Sequence, residues 1–167
     1  MRMNTIIEEL DRSSKTIAPE KLQEVIKKIK EHKRIFVYGT GRSGLMLKAF
    51  AMRLMQIGLN SYVVGETTTP SVQEGDLLIV ASASGETGSV CMTAESAVKQ
   101  GVDLIVISSA PESTLGKIHA PDIEIEAATK FATSKMLLMV FDTIILEMSE
   151  EKEGSNEDMA KRHASLE

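Results

Sequence analysis

Short apolar runs recur along this chain, and three of the five are followed by a longer stretch with helical spacing. The runs are Arg34-Ile35-Phe36-Val37-Tyr38, Ser61-Tyr62-Val63-Val64, Asp76-Leu77-Leu78-Ile79-Val80-Ala81 and Asp103-Leu104-Ile105-Val106-Ile107, with a shorter one at Asp122-Ile123-Glu124-Ile125. The four longer runs do not alternate polar with apolar, so they read as strands covered on both faces. Ser43 to Ile57 reads as a helix capped by Gly58, Thr87 to Gln100 as one closed by Gly101, and Phe131 to Ser149 as a long apolar one. Residues 4 to 32 carry Ile and Leu at three- and four-residue spacing, with Pro19 suited to start a second helix. Ser155-Asn156-Glu157-Asp158 opens a last short helix reaching His163, and the charged stretch from Glu150 reads as a solvated turn. Strand–helix alternation predicts an α/β fold with a five-stranded parallel sheet and helices on both faces. The expected strand order is 2-1-3-4-5. One domain is expected, with N-terminal helices over 1–33, an α/β core over 34–126 and C-terminal helices over 127–167.

That order has a direct consequence for function. The chain reverses direction between the first and third strands, and ligands of such sheets bind beyond the strands' carboxyl ends at the reversal. Two loops fall there. After the third strand comes Ser82-Ala83-Ser84-Gly85-Glu86-Thr87, three hydroxyls and a glycine opening a helix. Free N–H groups and a positive dipole end suit a phosphate monoester, to which the hydroxyls add donors. Helix capping accounts for one hydroxyl but not three. After the first strand comes Gly39-Thr40-Gly41-Arg42-Ser43-Gly44, a G-x-G-x-x-G pattern. With Glu66 ending the next strand it is a passable dinucleotide fingerprint. The second phosphate loop and the little room for a substrate domain oppose that reading. Without a G-K-[ST] sequence it is no Walker loop. Its glycines would equally serve helix–strand packing.

Glu66 stands in Gly65-Glu66-Thr67-Thr68-Thr69-Pro70, an ordered polar loop at the same edge. A carboxylate there can move a proton to and from carbon, or simply bond neighbouring hydroxyls. Composition narrows the partners. Net charge is -5 with a pI near 5.3, which argues against nucleic acid or anionic membrane. No run is long enough to span a bilayer, and the N-terminus lacks the apolar core of a signal peptide. The single cysteine, Cys91, excludes an intrachain disulfide and a cysteine-rich zinc site, in keeping with a cytoplasmic protein.

Taken together, Val37 to Gly44, Ala51-Met52-Arg53-Leu54, Val64 to Pro70, Ser82 to Thr87 and the ending Arg162-His163-Ala164-Ser165-Leu166-Glu167 resemble the sugar isomerase (SIS) domain family, specifically its 6-phospho-3-hexuloisomerases. The likeness covers nearly the whole chain. It implies a three-layer, flavodoxin-like fold, usually a tetramer with sites between subunits. The implied activity interconverts arabino-3-hexulose 6-phosphate and fructose 6-phosphate, in formaldehyde fixation or pentose supply, with no metal and no nucleotide cofactor. On that resemblance Glu66 is the expected base and His163 the proton shuttle between oxygens, in this chain or a neighbour. Ser43, Ser82, Ser84, Gly85 and Thr87 are expected to bind phosphate, and Gly41, Arg42 and Glu86 the rest of the substrate. One region departs: Ala128 to Lys135 has no carboxylate where compared members carry a Phe-Glu pair, and Ala127 to Met139 instead resembles the Ser-Thr-Lys stretch of other SIS domains. The base is therefore Glu66, Glu86 or a group lost from 128–135. A sugar-phosphate sensor without turnover, an isomerase of another phosphosugar and a small dinucleotide-binding module are the other readings.

Overall fold

In the computed structural model, which describes residues 1–151, 155–163 and 165, the five strands form one parallel sheet in the order β2-β1-β3-β4-β5. Strand β1 is Arg34–Tyr38, β2 Asn60–Val63, β3 Leu77–Ser82, β4 Asp103–Ser108 and β5 Ile123–Glu124. The helices are α1 (Arg2–Ser14), α2 (Pro19–Lys30), α3 (Gly41–Gln56), α4 (Gly88–Lys99), α5 (Thr114–Ile118), α6 (Lys130–Glu150) and α7 (Ser155–Arg162). The expected order and helical cover are both present. Two details differ. Strand β5 is only two residues long, although Asp122 N–H and Ile125 N–H extend its ladder to the Val106 and Ser108 carbonyls. Helix α5 was not foreseen, because five residues with an internal glycine carry no readable periodicity. Residues 152–154, inside the stretch read as a solvated turn, lie outside the described residues.

Strand pleating divides the apolar side chains between two layers. Ile35, Val37, Leu77, Ile79, Ala81, Ile105 and Ile107 point to one face and meet α2, α3 and α6. Phe36, Leu78, Val80, Leu104 and Val106 point to the other and meet α4 and α5. Burial on both faces explains why the strands carry no polar alternation. On the first face, Phe50 of α3 stacks on Phe141 of α6, ring centres 4.2 Å apart and 7° from parallel.

Helices α3 and α4 end alike. Gly58 (φ +96°) and Gly101 (φ +73°) take the left-handed conformation that L side chains resist. Leu59 N–H then bonds the Leu54 carbonyl and Val102 N–H the Ala97 carbonyl, turning each chain sharply into its next strand. At the sheet's amino edge Arg34 forks onto Asp76, its Nε 2.9 Å from Oδ1, while Gln73 N–H donates to Asp76 Oδ2 at 2.7 Å. Those donors hold the Asp76 carboxyl below its ordinary range.

Two stability predictions follow from this packing. Truncating one member of the aromatic stack, Phe141→Ala, should cost about 3–5 kcal/mol in urea unfolding; a loss under 1 kcal/mol would show that the stack carries little. Because its folded pKa is depressed, Asp76 contributes stability that is present above its unfolded pKa of about 3.9 and lost as pH falls through the folded value. Asp76→Asn should therefore lower stability at pH 7 and flatten its decline below about pH 4. Parallel wild-type and variant stability curves across that range would remove Asp76 from the acid response.

Candidate functional site

The β3–α4 loop is shaped by one glycine and by what lies beneath it. Gly85 has φ +65°, and a Cβ there would sit 1.8 Å from Ser113 Oγ at the start of α5. The loop therefore lies directly on α5, and Gly85 O accepts from Leu115 N–H at 3.0 Å. Ser82, 4% exposed, braces it from inside: its Oγ accepts from Gly85 N–H at 3.0 Å and lies 2.9 Å from Thr87 Oγ1. Ser84 is exposed. Its Oγ accepts from Glu86 N–H at 3.2 Å, which leaves the hydroxyl proton to donate outward.

Thr87 is the N-cap of α4 but makes no side-chain capping bond. The first bond across its turn runs from Cys91 N–H to Thr87 O. The N–H groups of Gly88, Ser89 and Val90 precede any intrahelical acceptor and face the loop with the positive end of the helix. Capping is thus not the use of these hydroxyls. The loop forms a cradle of donors.

Glu86 turns away from that cradle. Its Oε1 accepts from Thr114 N–H at 2.9 Å and its Oε2 from Thr114 Oγ1 at 2.6 Å, so it caps α5 across the loop. These bonds pull its carboxyl below the usual range. Both oxygens are engaged by protein donors and the group stays ionised, which suits anchoring the loop better than exchanging protons with a substrate.

The β1–α3 loop lies one strand away. A Cβ on Gly44 would fall 2.5 Å from the Gly39 carbonyl oxygen, and one on Gly39 would fall 2.7 Å from Leu47 Cδ1. The first and third glycines of the pattern thus serve close packing of α3 on β1. Gly41 differs: it opens α3 at φ +55° with open space around it. Arg42 and Ser43 follow in the first turn, and Arg42 Nε donates to Ser134 Oγ at 3.1 Å, joining this loop to the start of α6. Ser134, 4% exposed, belongs to the stretch that departs from the expected pattern.

Glu66 follows Gly65 (φ +94°) at the exit of β2, in a turn closed by Thr69 N–H on Glu66 O at 3.0 Å. It is exposed and borders two cavities. The larger, about 580 Å³, lies between the 65–72 loop and the Met92, Ser96 and Gln100 side of α4. The smaller, about 240 Å³, is walled by Gly39, Gly44 and Lys48. Lys48 was not singled out from sequence; its place one turn after Gly44 on α3 is the signal that would have found it.

Gly41, Arg42, Ser43, Glu66, Ser82, Ser84, Gly85, Glu86 and Thr87 therefore share the carboxyl edge of the sheet. His163 does not join them within one chain. Next to it, Arg162 Nη1 donates to the Gln56 carbonyl at 3.1 Å, at the far end of α3. That point lies at the other end of the 16-residue helix from Gly41, about 22 Å along the axis. Of the terminal residues that carried the resemblance, Ala164, Leu166 and Glu167 lie outside the described residues. Among the described residues no group of three His, Cys, Asp or Glu side chains could hold a metal, and no helix is long and apolar enough to cross a membrane.

Comparison with known proteins agrees with this architecture. The SIS domain profile matches residues 28–149. A 3-hexulose-6-phosphate isomerase of Bacillus subtilis is 36% identical over 176 residues, covering 97% of this chain and 95% of that protein. One from Mycobacterium gastri is 34% identical over 178 residues, covering 99% and 89%. A solved structure of a Methanococcus jannaschii protein, for which a 3-hexulose-6-phosphate isomerase function was inferred, superposes with a TM-score of 0.80 at 32% identity over 98% of this chain and 96% of that one. By profile, by relatives of nearly equal length and by fold, this chain belongs to the SIS domain family.

Proposed function

We propose that this chain is a 3-hexulose-6-phosphate isomerase that interconverts arabino-3-hexulose 6-phosphate and fructose 6-phosphate. The observation that carries the reading is the donor cradle at the start of α4, with a carboxylate two strands away at the same edge. Near-full-length likeness to proteins of that activity supports it. Neighbouring strands lie about 4.8 Å apart, so β2 and β3 are about 10 Å apart, a span that a six-carbon sugar phosphate can bridge.

Phosphate binds to Ser84, Thr87 and the N–H groups of Gly88 to Val90, with Ser82 and Gly85 holding the loop in shape and Ser43 reaching it from α3. The sugar then extends across Gly41 and Arg42 toward Glu66. Phosphate far from the reacting carbons contributes binding energy that orients them. Glu66 takes the proton from C2 of the 3-ketose, and a cis-enediolate forms across C2 and C3. Arg42 stabilises the developing negative charge. The O2 proton passes to O3, and Glu66 returns its proton to C3. His163 relays the proton between the oxygens. Since its own chain places His163 at the opposite end of α3, the partner subunit's His163 completes the site in a homotetramer. Exposed apolar residues of α1 and α6, among them Met3, Ile7, Phe131 and Leu146, support such an assembly. The enzyme works in the cytoplasm without a metal or nucleotide.

Three measurements test this. Ser84→Ala removes one donor to a charged acceptor, worth about 1.5–3 kcal/mol, so KM for the sugar phosphate should rise about ten- to a hundredfold. An unchanged KM in the intact variant would take Ser84 out of the phosphate site. Glu66→Gln keeps shape and hydrogen bonds but accepts no proton, and kcat should fall about 10²–10⁴-fold. Full activity in that variant would place the base elsewhere. Unfolded and refolded together, Glu66→Gln and His163→Asn chains should regain up to about a quarter of wild-type activity, because half of random pairs carry one intact shared site of two. Absence of recovery would show that both groups act from one chain. No turnover of either sugar phosphate by the wild type would overturn the isomerase reading itself.

A further inference from the structure

The start of α6 is held by a residue 120 positions earlier in the chain. Glu9 of α1 presents its Oε1 to Thr129 N–H at 2.8 Å, and Thr129 Oγ1 lies 3.1 Å from each carboxylate oxygen. One turn later on α1, Ser13 Oγ donates to the Glu126 carbonyl. Thr129 is in turn the N-cap of α6, its Oγ1 accepting from Ala132 N–H. Helix α6 has no acidic residue in its own first turn, so Glu9 brings the negative charge that a 21-residue helix favours there. Ser134, in the next turn, receives Arg42 Nε. Hydrogen bonds thus tie Glu9 to the N-cap of α6, and the helix backbone carries on from there to Ser134, which holds Arg42 in the first turn of α3.

We propose that Glu9 is a positioning residue for the reaction: clasping Thr129, it sets the start of α6 so that Ser134 holds Arg42 toward the substrate. This rests on the isomerase reading and on Arg42 facing the enediolate. An exposed guanidinium on a flexible side chain has many rotamers, and fixing one donor on a buried serine limits them. Without the clasp the 126–129 segment keeps its chain connection but loses its fixed distance to α1. A displacement of about 1 Å at a charge-stabilising group can lower a rate by up to about a hundredfold. The phosphate cradle hangs on β3, α4 and α5, none of which Glu9 touches, so phosphate binding should be spared.

The test compares Glu9→Ala and Glu9→Gln at a temperature well below the melting point of either. Glu9→Ala should lower kcat about ten- to a hundredfold with KM within about threefold of wild type, while Glu9→Gln, which keeps an acceptor for Thr129 N–H, should retain most of the turnover. In an Arg42→Ala background the Glu9→Ala change should cost little further, because its effect passes through Arg42. Wild-type kinetics in Glu9→Ala would overturn the proposal, and so would a full, additive loss in the Arg42→Ala background, which marks a general structural role. If the wild type turns over neither sugar phosphate, the isomerase reading fails and this proposal fails with it; unchanged Glu9→Ala kinetics in an enzyme that does turn over overturn this proposal alone.

Discussion

Two backbone contacts that leave no room for a Cβ govern the carboxyl edge of this sheet. Gly44 of α3 touches the carbonyl of Gly39, so α3 starts almost on top of β1. Gly85 touches Ser113, so the β3–α4 loop lies on α5 rather than standing in solvent. Each contact draws a helix N-terminus down onto the sheet where the strand order reverses. Donors from both helices then converge on one region. Even alanine at Gly85 would force the loop away from Ser113, since backbone and short side chains cannot yield as a long flexible side chain can.

The same contacts explain why the glycine pattern misleads as a dinucleotide signal. Gly39 and Gly44 are spent on packing, and only Gly41 keeps a backbone turn open to the edge. The donor cradle stands instead on the neighbouring strand, where three hydroxyls lie at a helix start without a side-chain cap. That loop was legible because hydroxyls, glycine and a following helix each have a separate physical reason to meet there. The strands were legible because burial on both faces removes polar residues, and their edges followed from glycines at φ values near +70° to +100°. Helix α5 and the brevity of β5 were not legible: both are set by what packs against them, α5 by the loop over Gly85 and β5 by lying at the sheet edge.

Partnerships were harder to read than positions. Glu86 reads as a substrate ligand within the loop, yet Thr114 occupies both of its oxygens. Arg42 was singled out, but not that Ser134 holds it from across the molecule. Such pairings span long sequence separations, and no local pattern encodes them. The stretch from Ala128 to Lys135, which lacks the carboxylate expected by resemblance, shows what replaces a local charge: Glu9 arrives from α1 to serve the same helix start. A helix N-terminus needs an acceptor, but not one from its own segment.

His163 raises the opposite question, why a residue of the chain's conspicuous Arg-His ending should lie so far from the other site residues. Its neighbour Arg162 fixes α7 against the last turn of α3, at the amino edge of the sheet. A carbonyl shift between adjacent carbons needs one group acting on carbon and another on the two oxygens, from different directions. A single α/β layer supplies the first readily, since its carboxyl edge gathers loops from one side only. In the proposed mechanism the second approaches over the sugar, from the partner subunit. Arg162 anchors the end of α7 to the Gln56 carbonyl, and His163 follows it, exposed, on that side of the molecule. Under the proposed mechanism assembly is part of the chemistry: a lone subunit would keep the α4 cradle and Glu66 yet lack the group proposed to move the oxygen-bound proton.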